Sequence, residues 1–128
     1  CVDPAEGMTY GAVPGANCGV RMPIRPDGSG HRVGLYCQLV GGWGPDGMAV
    51  DTDGNVVIAH AGGGAVWAWS PLGMPLYRLP SCDGGLLTTI LAYGGKVNCT
   101  LLITNSLSQN VLIADMPVPG EVMFGLGN

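Results

Sequence analysis

Asp46 is the residue best placed for chemistry. It sits in Gly44-Pro45-Asp46-Gly47, directly ahead of Met48-Ala49-Val50-Asp51. A carboxylate in a Pro-Asp-Gly bend is held by backbone rather than by a flexible stem, as a hard-metal ligand or a general base must be. The same tripeptide forms turns for purely conformational reasons, so an ordinary bend is the competing reading. Asp51 and Asp53 resemble the opening of a calcium loop. Gly54 comes too early and no Glu closes that loop, so a hairpin turn is expected instead. His60 ends the run Val57-Ile58-Ala59 just before Gly62-Gly63-Gly64. It is a candidate substrate contact, set against a buried and internally satisfied histidine. No Lys-Ser/Thr follows the glycines and no Gly-x-Ser-x-Gly occurs, which removes a phosphate cradle and a serine hydrolase.

The elements that must position Asp46 read as strand after strand. Runs at 19–25 and 32–40 precede the Pro-Asp-Gly bend; runs at 55–60, 65–70, 74–79, 86–93, 99–105, 110–115 and 121–124 follow it. Residues 1–17 show no periodicity and read as loop. Pro23 within the first run argues for an edge strand. No amphipathic helix of useful length is present, and 23 Gly with 10 Pro would interrupt one. Trp67 and Trp69 project to the same side of one strand, as packing between sheets would require.

Composition narrows the class of function. Nine acidic residues against five basic ones, a net charge of −4, argue against nucleic acid or an anionic membrane as partner. No apolar run approaches the roughly 20 residues that span a bilayer, and no signal-peptide pattern opens the chain. The five cysteines, Cys1, Cys18, Cys37, Cys82 and Cys99, form no Cys-x-x-Cys pair. They read as free, buried thiols, and a cytoplasmic location is the expectation, with secretion left open. The first residue is not Met, so an upstream segment is expected.

The strands repeat. Val57-Ile58-Ala59-His60 lies on Leu102-Ile103-Thr104-Asn105, and Ala65-Val66-Trp67-Ala68-Trp69 lies on Asn110-Val111-Leu112-Ile113-Ala114, at one offset of 45 residues. That length suits a four-stranded propeller blade. The fold class is therefore all-β, a partial β-propeller of about two and a half blades: residues 1–44 an incomplete blade, 45–80 a blade, 81–128 a blade. Such a chain cannot close a ring by itself.

These motifs resemble the senescence marker protein/gluconolactonase/luciferin-regenerating enzyme (SMP-30-like) family. The resemblance rests on Pro45 to Asp51, the Asp53-Gly54-Asn55 turn, Val57 to His60, and Val66-Trp67-Ala68-Trp69-Ser70-Pro71-Leu72-Gly73. It continues through Pro75 to Arg78, Ser81-Cys82, Thr88-Thr89, Ala92 to Gly95, Leu101 to Thr104 and Ala114 to Gly120, covering about residues 18–124. It implies the C-terminal half of a six-bladed propeller that holds one divalent cation, most often calcium, and hydrolyses lactones or related esters. Asp46 then matches the metal-binding aspartate and candidate base or nucleophile. The remaining ligands, a Glu and an Asn, are expected upstream of Cys1. Ile90 replaces an Asn common after Thr-Thr, and Asn105-Ser106 departs from a Thr-Glu-Ser pattern.

Two functions follow. In one, the chain is a fragment of a metal-dependent lactone or ester hydrolase, with Asp46 as metal ligand and base and with His60 and Asn105 as substrate contacts. Its missing ligands would come from an N-terminal half or from another copy of the chain. In the other, it is a noncatalytic, self-associating β-sheet module.

Overall fold

The computed structural model describes residues 1–123. Eleven strands form three antiparallel sheets among these residues. The first sheet runs β1 (Val2–Asp3), β2 (Met8–Val13), β3 (Cys18–Pro23), β4 (Gly34–Gln38), paired in chain order. The second runs β5 (Gly44–Val50), β6 (Val56–Ala61), β7 (Ala65–Trp69), β8 (Pro75–Pro80), again in order. The third has β9 (Thr88–Gly94), β10 (Thr100–Asn105) and β11 (Asn110–Asp115), with β10 in the middle. The all-β, partial-propeller expectation holds.

The second sheet is the centre of the molecule because both of its faces are covered. All six residues of β6 are buried, which explains why this strand is continuously apolar up to His60. Alternation divides them. Val56 and Ile58 face the first sheet with Tyr10, Tyr36, Leu39 and Trp69, while Val57 and Ala59 face the third with Leu91, Leu101 and Ile103. Each buried Val, Ile or Leu among them contributes roughly 1.5–3 kcal/mol by leaving water. Trp67 and Trp69 share the first of these faces, with ring centroids 6.0 Å apart.

The repeat is visible in the register. Val57 pairs with Ala68 and Leu102 with Ile113; His60 pairs with Ala65 and Asn105 with Asn110. After β11 the chain turns back and laces two sheets together: Thr52 N–H donates to the Pro119 carbonyl and Glu121 N–H to the Val50 carbonyl, each at 2.9 Å.

Four local expectations are corrected. Residues 1–17 are not loop: they form β1, β2 and a short 3-10 helix (Pro14–Ala16), because β2 pairs along its whole length with β3. β3 is not an edge strand but lies between β2 and β4, and Pro23 is tolerated as its last residue. Glu121, Val122 and Met123 form no strand, and Phe124 of that expected run lies outside the described residues. The five thiols are free but not uniformly buried: Cys18 and Cys37 are, Cys1 and Cys99 are half-buried, and Cys82 is exposed. Among the described residues no helix is long and apolar enough to cross a membrane.

Candidate functional site

Asp46 does not precede β5; it stands inside the strand, on a bulge. Pro45 pairs with His60 and Met48 with Ile58, so Asp46 and Gly47 together oppose the single residue Ala59. The extra residue breaks the in-out alternation. Pro45 is buried, Asp46 is exposed, and Met48 packs back against the core.

Gly47 fixes the bulge from its other side. A Cβ there would lie 2.4 Å from the Thr89 carbonyl oxygen and 2.8 Å from the Ile90 Cα. Only a residue without a side chain lets β5 approach β9 so closely.

β9 carries the same bulge. Thr88 pairs with Asn105 and Leu91 with Ile103, leaving Thr89 and Ile90 opposite Thr104. Here the side chains are tied down: Thr89 Oγ1 lies 2.8 Å from Thr104 Oγ1 and 3.2 Å from Ser106 Oγ, and the Ile90 N–H donates to Thr104 Oγ1 at 2.9 Å. By contrast, no hydrogen bond among the described residues engages the Asp46 carboxylate, which faces solvent.

His60 and Asn105 are both buried and both committed. His60 Nε2 lies 2.8 Å from the Gly41 carbonyl oxygen, and Nδ1 lies 3.4 Å from Trp67 Nε1. Trp67 Nε1 can only donate, so Nδ1 accepts and the neutral ring carries its proton on Nε2. The Asn105 amide nitrogen donates to Ser81 Oγ at 3.3 Å and Asp83 Oδ1 at 3.4 Å, while its oxygen accepts from the Leu107 and Ser108 N–H groups. Thr88 links the two strands by placing its hydroxyl 3.0 Å from the His60 carbonyl oxygen. The structure thus gathers Asp46, His60, Thr88 to Ile90 and Asn105 at one end of the second and third sheets. Asp46 alone of the three candidates presents a polar group with no internal partner.

Asp83, which the sequence did not single out, is a clasp. Its carboxylate accepts from Ser108, from Ser81 Oγ at 2.5 Å, from Asn110 Nδ2 at 3.0 Å and from the Gly85 N–H at 2.9 Å. These donors, Ser108 foremost, hold its carboxyl well below the usual carboxylate range. The doubled bulge was also missed. Its signal is an offset of 43 residues, Pro45-Asp46-Gly47 on Thr88-Thr89-Ile90, which the 45-residue offset of the next strands conceals. Asp51 and Asp53 form the expected turn: Asp51 Oδ1 accepts from the Asp53 N–H at 3.0 Å and the Asn55 N–H at 2.9 Å.

Among the described residues no three His, Cys, Asp or Glu side chains converge on a common point. A calcium ion takes roughly six to eight oxygen ligands. The donors among the described residues therefore do not by themselves fit a divalent cation. A shallow apolar groove lined by Val66, Leu79, Ile103 and Leu112 lies between the sheets and includes none of the three candidates.

The family described as SMP-30/Gluconolactonase/LRE-like region matches residues 2–107. A comparison with curated proteins by sequence finds no match. Among solved structures, a luciferin-regenerating enzyme superposes with a TM-score of 0.81 at 18% identity, over 94% of this chain and 45% of its own. A protein described as a gluconolactonase gives 0.78 at 23% identity, over 95% of this chain and 39% of its own. A calcium-binding protein, regucalcin, from Agrobacterium tumefaciens gives 0.77 at 22% identity, over 97% of this chain and 46% of its own. At such identities the likeness carries the fold, and the chain spans less than half the length of each of these structures. The chain belongs to the SMP-30/gluconolactonase/LRE-like family.

Proposed function

We propose that this chain is part of a lactone or ester hydrolase of the gluconolactonase type, to which it contributes Asp46. One observation carries the reading: in a member of this family, Asp46 alone of the candidates is both exposed and held on a bulge packed against β9. As general base, its carboxylate takes a proton from water as the water oxygen adds to the lactone carbonyl. The ring C–O bond then breaks, the leaving oxygen takes up the proton, and a hydroxy acid results. His60 and Asn105 are internally bonded, so substrate contact falls to Asp46 and to surfaces this chain does not supply.

We further propose that Asp46 is one ligand of a divalent cation, calcium first among candidates, whose other ligands come from a partner. That partner is either the remainder of the propeller or another copy of this chain. The regucalcin likeness supports the choice of calcium; the donors among the described residues do not complete such a site. The test is a calcium titration followed by melting temperature, since a ligand bound only by the folded state must stabilise it. Calcium should raise the melting temperature of the complemented protein but not of its Asp46→Asn variant.

A second reading, a noncatalytic self-associating module, is favoured by the outer face of the third sheet, where Ile90, Val111 and Ile113 are more than 60% exposed. It predicts association that is indifferent to Asp46→Asn.

A further inference from the structure

We infer that His60 is a positioning residue for Asp46, which it serves by clamping the loop ahead of β5 onto the end of β6. The inference rests on the reading of Asp46 as the functional carboxylate of this chain.

The loop at 40–43 feeds directly into Gly44-Pro45-Asp46, so whatever fixes this loop fixes the entry to the bulge. Two bonds hold it to β6: His60 Nε2–H donates to the Gly41 carbonyl at 2.8 Å, and the Trp43 N–H donates to the Ala61 carbonyl at 2.7 Å. A third comes from the connection between β2 and β3, where Asn17 Nδ2 donates to the same Gly41 oxygen at 3.1 Å. Both lone pairs of that carbonyl are thereby used. His60 also pairs across the ladder with Pro45, the residue before Asp46, and Pro45 has no N–H with which to anchor itself.

The imidazole is itself held on two sides. Trp67 Nε1–H reaches Nδ1, and a Cβ on Gly63 would lie 2.3 Å from that same nitrogen, so the β6–β7 turn closes directly onto the ring. Ring orientation and tautomer are therefore set by neighbours, as a positioning group requires.

The third sheet repeats the device with different chemistry. Asn105, 45 residues on, clamps the loop ahead of β9 through Ser81 and Asp83, and the bulge it sets carries Thr89, which is consumed by Thr104. Among the described residues, the device presents an unbonded carboxylate in the second sheet and not in the third.

The experiment is NMR on the labelled full chain. His60→Leu should speed amide exchange at Trp43 by about tenfold or more, shift the Asp46 carboxyl resonance, and leave the Met116 amide, bonded to the Cys99 carbonyl just beyond the ends of β10 and β11, unchanged. His60→Gln keeps a side-chain N–H donor and should restore both signals. If His60→Leu does not fold, Trp67→Phe loosens the ring without emptying the core and should move the same two signals in the same direction. Equal acceleration at Trp43 and Met116, or an unmoved Asp46 resonance, overturns the inference. The hydrolase reading fails separately, by an Asp46→Asn variant that still hydrolyses lactone, and that result leaves the exchange pattern standing.

Discussion

Asp46 and Thr89 occupy equivalent places in adjacent sheets, each the first of two residues bulged against one residue of the neighbouring strand, yet Thr89 is hydrogen-bonded and Asp46 is not. The backbone feature is repeated; its side-chain bonding is not. The bulge belongs to the fold; the free carboxylate is what this position adds to it.

Asp46→Asn should therefore leave stability within about 0.5 kcal/mol of the parent, as for an exposed side chain without partners. In protein combined with the partner proposed above, the same change should lower lactone hydrolysis by about a hundredfold or more, the scale of a lost general base. Urea unfolding and initial rates on one preparation check both halves.

Gly47→Ala should act in the opposite way, through the scaffold. Its Cβ would strike the Thr89 carbonyl, which belongs to backbone and cannot swing aside. A loss of about 1–3 kcal/mol is expected, with the contact between β5 and β9 loosened, measured by denaturation and by exchange at β9 amides.

Asp51→Ala should cost about 2 kcal/mol or more. Asp51 is buried and accepts from two backbone N–H groups and from Asn55 Nδ2 at 2.9 Å, so truncation leaves those donors unpaired at the β5–β6 turn. Asp53→Ala, at an exposed position of the same turn, should change stability little.

Stability should fall in alkali. Burial pushes the Cys37 thiol from its ordinary 9.0 up to about 11, with a smaller contribution from Cys18. Burial also raises the Tyr36 and Tyr93 phenols. The folded state thus keeps these protons to higher pH than the unfolded chain does. For Cys37 the stabilisation is full below pH 9.0 and is lost as pH rises through about 11. Urea midpoints measured across this range should decline in step.

Thiol reactivity should follow exposure. Cys82 is exposed while Cys18 and Cys37 are buried, so a disulfide reagent under native conditions should modify Cys82 first and leave Cys18 and Cys37 for denaturant. Mass analysis of the labelled peptides gives the order.

What the sequence made legible follows from physics that is local or doubled. β6 and β7 could be read because strands buried on both faces must be apolar throughout, and Trp67 with Trp69 marks one shared face. β2 could not. Among Met8 to Val13 only Tyr10 is buried, and the strand exists because β3 pairs with it. At the candidate site, Asp46 was legible as a fixed carboxylate, but its bend and a bulge have the same residue signature. Whether Pro-Asp-Gly ends a strand or kinks one is decided by Ala59 and by the approach of β9, neither of which is local. His60 and Asn105 stood out as polar ends of apolar runs; their partners, Gly41 and Asp83, lie in loops 19 and 22 residues away.

In the proposed function this chain supplies one working carboxylate to a hydrolytic centre completed by a partner. Native mass spectrometry with and without calcium, followed by a lactone assay on each species and on its Asp46→Asn counterpart, tests it most directly. Calcium uptake and hydrolysis are expected only in a species containing a second chain, with hydrolysis lost in Asp46→Asn. Hydrolysis by the single chain, or hydrolysis that survives Asp46→Asn, would contradict it.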